Sequence, residues 1–188
     1  MQWFEKYEDK LGVRYKTFHK LFSIAIDREL KNFVETGTSR GKDKFYYLRP
    51  KVNWKDGMST ILFAEYVKLN KGQLWTCDID ARNIRNASLF LKDYNLHANL
   101  IVSDSLNFLR DFSETIDVLY LDSHDGNLPG ANEHQLKEAQ LSIGKINSNG
   151  LIMLDDKGQK TELSIPFLIS EGWEIIFESE NQVIFQKA

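Results

Sequence analysis

A single cysteine, Cys77, is all the sequence holds, so no intrachain disulfide can form and the stapled scaffolds of small secreted domains are excluded. Cys77 sits in an apolar run, where a thiol is expected to be a buried structural group rather than a nucleophile. Long apolar stretches are missing too. None approaches the roughly 20 residues that a helix needs to cross a bilayer, and the opening MQWFEKYEDK is charged where a signal peptide carries its apolar centre. The expected setting is therefore cytoplasmic, with no membrane partner. Basic excess is lacking: the formal net charge is -3, which argues against a nucleic-acid partner held through phosphate contacts. There is no internal repeat, no low-complexity tract and no linker-like stretch, so a single domain is expected over residues 1–188.

What is present is an ordinary globular composition, 42% hydrophobic and 27% charged, on a chain long enough to bury a core. Tyr15, Phe18, Leu21, Phe22, Ala25 and Ile26 recur at helical spacing and predict an amphipathic helix over about 13–31. Trp3, Phe4 and Tyr7 suggest a further short helix before it, so 1–31 reads as an N-terminal helical segment. His19, set among Lys and Phe residues, reads as a surface histidine. From there short apolar runs alternate with helical patterns. Strands are predicted at 32–36, 73–77, 99–102, 117–121 and 151–154, and helices near 59–69, 81–94, 105–112, 131–143 and 161–170, with 147–150 as a turn. The alternation implies an α/β fold with a doubly wound, mostly parallel sheet. The last two runs, 173–179 and 182–186, are joined only by Glu180-Asn181, too short for a crossover, and predict an antiparallel hairpin.

The stretch that organises the chain is Asn32 to Gly41, NFVETGTSRG, completed by Asp56-Gly57-Met58-Ser59-Thr60. A first strand ending in an acid, a Gly-rich turn and a helix start is where an α/β sheet holds a nucleotide-like ligand. Gly37, without a Cβ, would let the backbone approach that ligand, and Ser59 or Thr60 would cap the helix whose N–H groups face it. The compact G-x-G-x-x-G of nicotinamide dehydrogenases is absent, since Gly37-Thr38-Ser39-Arg40-Gly41 does not match it. Four strands end in a carboxylate, Glu35, Asp78, Asp122 and Asp155, and the turn after the third carries Asp104. In a parallel sheet these ends share one edge, so the acids should converge. Burying so many like charges is costly unless a cation or hydrogen-bond donors compensate.

Glu35, Gly37 and, beyond an insertion, Gly57-Met58-Ser59 resemble motif I of the class I S-adenosylmethionine-dependent methyltransferases, acid-x-Gly-x-x-x-Gly, here split into two pieces. The chain looks most like the small-molecule O-methyltransferases and the related cephalosporin-hydroxylase-like group, over nearly all of its length after Asn32. The resemblance implies a Rossmann-like sheet of seven strands in the order 3-2-1-4-5-7-6, S-adenosylmethionine as cofactor and a small-molecule acceptor, in a chain compatible with a homo-oligomer. By the same resemblance, Glu35 and Gly37 line the methionine end, with Thr38, Ser39 and Gly57 completing the turn. Ser59 meets the cofactor carboxylate. Asp78 accepts from the ribose hydroxyls, with Ile79 beside it and Asp80 as the weaker candidate, and Asp104 and Ser105 meet the adenine.

Metal-dependent O-methyltransferases carry an Asp after strand four and an acidic pair after strand five. Asp122, Asp155 and Asp156 match those positions, and an all-oxygen set suits Mg²⁺ or another divalent cation. A hydroxyl acceptor must lose its proton to a base or to a metal that lowers its pKa. Where catechol-type enzymes place a catalytic Lys, three residues after the strand-four Asp, this chain has Asp125; His124, in the turn Ser-His-Asp-Gly, is the candidate base beside Asp122. The second reading is a non-methylating ligand- or metal-binding protein on the same fold. The insertion 42–56, KDKFYYLRPKVNWKD, is basic and aromatic and is expected to be a mobile lid over an anionic or aromatic acceptor.

Overall fold

The computed structural model describes residues 1–42 and 49–188. The N-terminal segment folds as two single-turn helices, α1 (Gln2–Glu5) and α2 (Glu8–Leu11), followed by α3 (Tyr15–Asp27). Then come β1 (Asn32–Thr36), α4 (Ser59–Leu69), β2 (Gln73–Asp78), α5 (Ala81–Asp93), β3 (Asn99–Val102), α6 (Ser105–Asp111), β4 (Ile116–Leu121), α7 (Ala131–Ser142), β5 (Ile146–Leu154), α8 (Ser164–Ser170), β6 (Trp173–Glu178) and β7 (Val183–Lys187). The strands form one sheet in the order β3-β2-β1-β4-β5-β7-β6, as the resemblance implies. Pairs from β3 through β5 are parallel, and β7 runs antiparallel to β5 and β6, which is the predicted hairpin.

Successive side chains along a strand point to opposite faces, and this sorts the core into two layers. Phe33, Val118 and Leu151 face α1 to α5, where they join Phe4, Phe18, Phe22, Phe63, Tyr66 and Phe90. Val34, Leu119 and Ile152 face α6 to α8, with Phe108, Leu109, Ala139 and Leu168. The central strand β4, IDVLYL, is buried at every position, as a strand covered on both faces must be. Cys77 lies in the second layer, and burial pushes its thiol pKa up, so it is the structural group expected. His19 is exposed. Among the described residues no helix is long and apolar enough to cross a membrane.

Several predicted boundaries move: α3 ends at Asp27 rather than near 31, α8 starts at Ser164 rather than near 161, and two further shifts bear on the site. The helix expected from residue 13 starts at Tyr15, because Gly12 adopts φ 53° and Gly12–Arg14 form a 3-10 turn. That turn delivers Arg14 to the edge of the sheet. The predicted turn at 147–150 is part of β5: Ile146 pairs with Ile116, and the register shifts before Leu151 meets Val118. The Asn147 side chain donates to the Asp117 carboxylate, and a Cβ on Gly150 would lie 2.8 Å from the Asp117 carbonyl oxygen. Turn-forming residues here make an irregular strand.

Candidate functional site

The chain runs outward from β1 to β3 and then returns to β4, so β1 and β4 are the neighbours where the winding reverses. The crevice beyond the strand ends at such a point is where α/β sheets bind ligands. The two turns are drawn together there: Gly37 N–H donates to Cys77 O at 2.9 Å and Asp122 N–H to Thr36 O at 3.0 Å. A cavity of about 770 Å³ opens on one side and a smaller one of about 80 Å³ on the other. Gly37, Asp78 and Ser123 line both. Gly37 has φ 79°, and a Cβ on it would lie 2.3 Å from the Asp122 carbonyl oxygen. The glycine is therefore required by the β4 turn packed on it, a constraint stronger than the ligand approach expected from sequence.

Glu35 does not line either cavity; it is fully buried behind the turn. Ser59 Oγ and Thr60 Oγ1 donate to its two oxygens at 2.5 and 2.7 Å. Thr60 Oγ1 in turn accepts from Ser39 N–H at 2.8 Å, and Thr60 N–H donates to Ser39 Oγ at 3.2 Å. Glu35 thus clasps the two halves of the split motif across the insertion. Burial raises its pKa to about 7 against the pull of these hydroxyls. The expected cap by Ser59 or Thr60 is corrected as well: α4 is preceded by Gly57 at φ 90° and Met58 at φ 44°, both left-handed, and the side-chain acceptor at its start comes from Ser39. Thr38, Ser39, Met58 and Ser59 line the larger cavity, whereas Gly57 stands behind them without lining it.

The next two acids divide differently. Asp78 is half-buried and held by Asp80 N–H at 2.8 Å, Thr38 N–H at 3.4 Å and the Asn83 amide at 3.1 Å, with its side chain at the junction of the cavities. Asp80 caps α5 through Arg82 N–H at 2.8 Å and pairs with the Arg82 guanidinium, so it leaves the site. Asp104 lines the smaller cavity with Ile79 and Ser105, while its Oδ1 caps α6 through Leu106 and Asn107 N–H at 3.0 and 3.3 Å. Ile79 is 74% exposed, an apolar wall left open among the described residues.

His124 also lines the smaller cavity, its ring 5.3 Å from that of His134, and it does not line the larger one. The structure therefore separates it from the carboxylates it was expected to assist. His134, on α7, was not anticipated. Its Nε2 lies 2.8 Å from Ser105 Oγ and 3.7 Å from Glu138 Oε1. The wholly buried Glu138 also accepts from Ser123 Oγ at 2.7 Å and raises the His134 pKa against the effect of burial. The i,i+4 spacing of His134 and Glu138 was the available signal.

Asp122, Asp155 and Asp156 do converge on the larger cavity, but side-chain cations stand among them. Lys160 Nζ lies 3.0 Å from Asp122 Oδ1 and 3.4 Å from Asp156 Oδ2, and Arg14 Nη2 lies 3.5 Å from Asp155 Oδ2 and 4.0 Å from Asp156 Oδ1. Among the described residues no group of three or more His, Cys, Asp or Glu is arranged to hold a metal ion. Burial, then the neighbouring Asp155, pushes the Asp122 carboxyl well above the ordinary range, and Lys160 pulls it back. Burial lowers and Asp122 and Asp156 raise the Lys160 ammonium pKa, with a net rise. Two buried atoms facing this end, Arg14 Nε and Asp155 Oδ1, have no hydrogen-bond partner among the described residues. Lys160 had a sequence signal, four residues after Asp156; Arg14, from the far N-terminal segment, had none.

Part of the insertion expected as a lid, residues 43–48 with Phe45, Tyr46 and Tyr47, lies outside the described residues. Its base is closed by an antiparallel bridge between Lys42 and Lys51, and Arg49 pairs with Asp93. Trp54 packs 5.1 Å from the Tyr7 ring, under Lys10, and Lys55 lines the larger cavity. The returning arm is thus fastened to the N-terminal segment.

The sequence matches the model of a family described as Methyltransferase domain over residues 54–157, more than half of the chain. No curated protein matches it. Solved structures share its fold at low identity. A Staphylococcus aureus protein assigned as a caffeoyl-CoA O-methyltransferase is 13% identical, covering 92% of this chain and 83% of its own, with a TM-score of 0.66. An SAH-bound methyltransferase of Podospora anserina is 15% identical, covering 100% and 85%, with a TM-score of 0.65. An rRNA methylase of Streptococcus thermophilus is 14% identical, covering 90% and 95%, with a TM-score of 0.60. At these identities the likeness is one of fold, and the fold does not name the acceptor.

Proposed function

The chain belongs to this methyltransferase-domain family, and we propose that it is an S-adenosylmethionine-dependent methyltransferase acting on a hydroxyl of a small molecule. The observation that carries the reading is the pair of cavities meeting at Gly37 and Asp78. An elongated ligand with a flat, mainly apolar end and a polar, charged end fits such a crevice. Ile79, Asp104 and Ser105 form the wall for an adenine, Asp78 offers its carboxylate to ribose hydroxyls, and Ser39, Ser59 and the start of α4 face the amino-acid end. That the relative from Podospora anserina is SAH-bound supports the same choice of cofactor. The larger cavity, about 770 Å³, is of the size that small-molecule sites have, and the orphaned Arg14 Nε and Asp155 Oδ1 favour a polar acceptor there.

When bound, S-adenosylmethionine supplies an electrophilic methyl group on its sulfonium. This chain's own work is to align the acceptor and to take its proton. Asp122 is the base in this reading. It lines the larger cavity, and burial beside Asp155 gives it a proton affinity above that of an exposed aspartate. His124 belongs to the adenosine end, where it and His134 close the smaller cavity. No step runs through a divalent ion, because the carboxylates that would hold it already bind Lys160 and Arg14.

Calorimetry with S-adenosylhomocysteine tests the reading. The wild-type chain should bind, and Asp78→Asn should weaken binding by roughly tenfold or more, the loss of a charge-assisted pair of hydrogen bonds. Asparagine keeps the shape and its oxygen keeps Asp80 N–H and the Asn83 amide, while its amide nitrogen faces the long Thr38 N–H contact, so the stability cost should stay at about 1 kcal/mol and the chain remain folded. A folded wild-type chain that binds no S-adenosylhomocysteine would remove the proposal and leave the non-methylating reading.

A further inference from the structure

The carboxylates Asp122, Asp155 and Asp156 enclose a lysine where a divalent ion would have to sit. We propose that Lys160 is the resident cation of this site, that it positions Asp122, and that the protein works without a divalent metal. The assignment of the cation stands on the geometry alone; its bearing on turnover rests on the methyltransferase reading above.

The fold builds Lys160 into place. After β5 the backbone reverses at Asp156, whose φ is 54°. Lys157 N–H is fastened to Asn181 O at 2.8 Å, and Gly158 N–H donates to Thr161 Oγ1 at 3.0 Å. This turn carries Lys160 back under Asp156, four residues earlier, with its side chain 0% exposed. A lysine on a solvated surface would roam; this one is enclosed, with Asp122 at 3.0 Å and Asp156 at 3.4 Å as acceptors. It lines the larger cavity, but its ammonium is taken up by Asp122 and Asp156, so it acts through Asp122 as a positioning residue.

A metal and this ammonium exclude each other. Mg²⁺ and Mn²⁺ want about six oxygens at roughly 2.1 Å in octahedral array, and two of the oxygens on offer already accept from Lys160. Three carboxylates here face two side-chain cations, Lys160 and Arg14. A divalent ion would reverse the sign of the cluster and stand within a few ångströms of a buried like charge, a repulsion little screened by water. Entry of the metal would require Lys160 to leave its enclosed position. Removing the ammonium side chain should instead expose the acidic set to the metal.

The experiment is a titration of the full chain with Mn²⁺, followed by the electron paramagnetic resonance signal of the free ion, on wild type, Lys160→Ala and Lys160→Arg. Wild type and Lys160→Arg should show no saturable site up to about 1 mM Mn²⁺, whereas Lys160→Ala should gain a site at least roughly tenfold tighter. That site should vanish when Asp155→Asn is added. A saturable wild-type site that Asp122→Asn or Asp155→Asn removes would overturn the proposal, and so would a folded Lys160→Ala that binds no better than wild type. Should Lys160→Ala fail to fold by circular dichroism, the wild-type and Lys160→Arg titrations decide: a saturable site that Asp155→Asn removes refutes the assignment, and the absence of such a site upholds it. Binding of S-adenosylhomocysteine, measured on the same samples, reports separately on the methyltransferase reading.

Discussion

Replacing Glu35 by glutamine should shift stability towards the variant as the pH rises from 5 to 8. Glu35 is fully buried, and burial carries its pKa from the ordinary 4.5 to about 7 despite the hydroxyls of Ser59 and Thr60. The unfolded chain releases this proton at the ordinary value. Between these two pKa values the folded state therefore binds more protons than the unfolded one, and stability falls as pH rises. The stabilising contribution of the protonated carboxyl is complete below pH 4.5 and is lost by the time the pH has passed 7. At 1.36 kcal/mol per pH unit, the loss is about 3 kcal/mol, a sizeable part of the roughly 5–15 kcal/mol that holds a domain folded.

Glutamine copies the neutral carboxyl and cannot ionise. It keeps one oxygen as acceptor, but its amide nitrogen meets a hydroxyl that must turn to accept. Thr60 Oγ1 already accepts from Ser39 N–H, so Ser59 Oγ is the group that turns, at a cost of about 1 kcal/mol that does not depend on pH. The expected difference is close to zero at pH 5, where the unfolded carboxyl is already mostly ionised, and becomes a gain of about 2 kcal/mol at pH 8. Urea unfolding of both proteins at pH 5, 6, 7 and 8 measures it, and subtracting one from the other removes the carboxylates and histidines common to both. A difference that stays constant over this range would refute the argument, since it would mean that Glu35 ionises alike in the folded and unfolded chain.

Gly37→Ala should cost more than about 3 kcal/mol by thermal or urea unfolding, combining an unfavourable positive φ with a steric clash; a near-normal melt would mean that the turns of β1 and β4 can separate freely. Asp122→Asn should keep its affinity for S-adenosylhomocysteine and lose turnover by roughly a hundredfold or more, the usual worth of a general base. His124→Ala should do the reverse, weakening cofactor affinity while the basic group in the pH–rate profile persists. Loss of that group in His124→Ala would return the base to His124.

The sheet was legible because its signals are local. Runs such as IDVLYL and LIML can be buried on both faces only as central strands, and the two-residue link Glu180-Asn181 permits only a hairpin. The strand order came from the likeness in motif I and not from periodicity. The start of β5 escaped because Asn147 and Gly150 are turn formers by habit, and only the nearby Asp117 makes them a strand. At the site, Gly37, Asp78, Ile79, Asp104 and Ser105 line one cavity because each lies at or within three residues of a strand end that fixes it. Arg14, His134 and Glu138 were missed because they arrive on helices, where sequence distance from the motif carries no information about proximity.

The strand-end acids show the limit most clearly. In sequence they form one class, and the inference that a cation or donors must compensate them is sound. The compensating groups turn out to be five different things. Glu35 meets two hydroxyls, Asp78 meets backbone and Asn83 amides, Asp104 meets the first N–H groups of α6, Asp122 and Asp156 meet Lys160, and Asp155 meets Arg14. Each partner sets a different role: a carboxylate held by amides or a helix end keeps its shape, whereas at Asp122 burial beside Asp155 raises the proton affinity and Lys160 lowers it again. The acids lining the smaller cavity are thus tied mainly to amide N–H groups, and those lining only the larger one to side-chain cations. In the proposed reading the second set moves the proton. Its electrostatic balance is set by two residues, Arg14 and Lys160, that come from opposite ends of the chain and meet only when the sheet is complete.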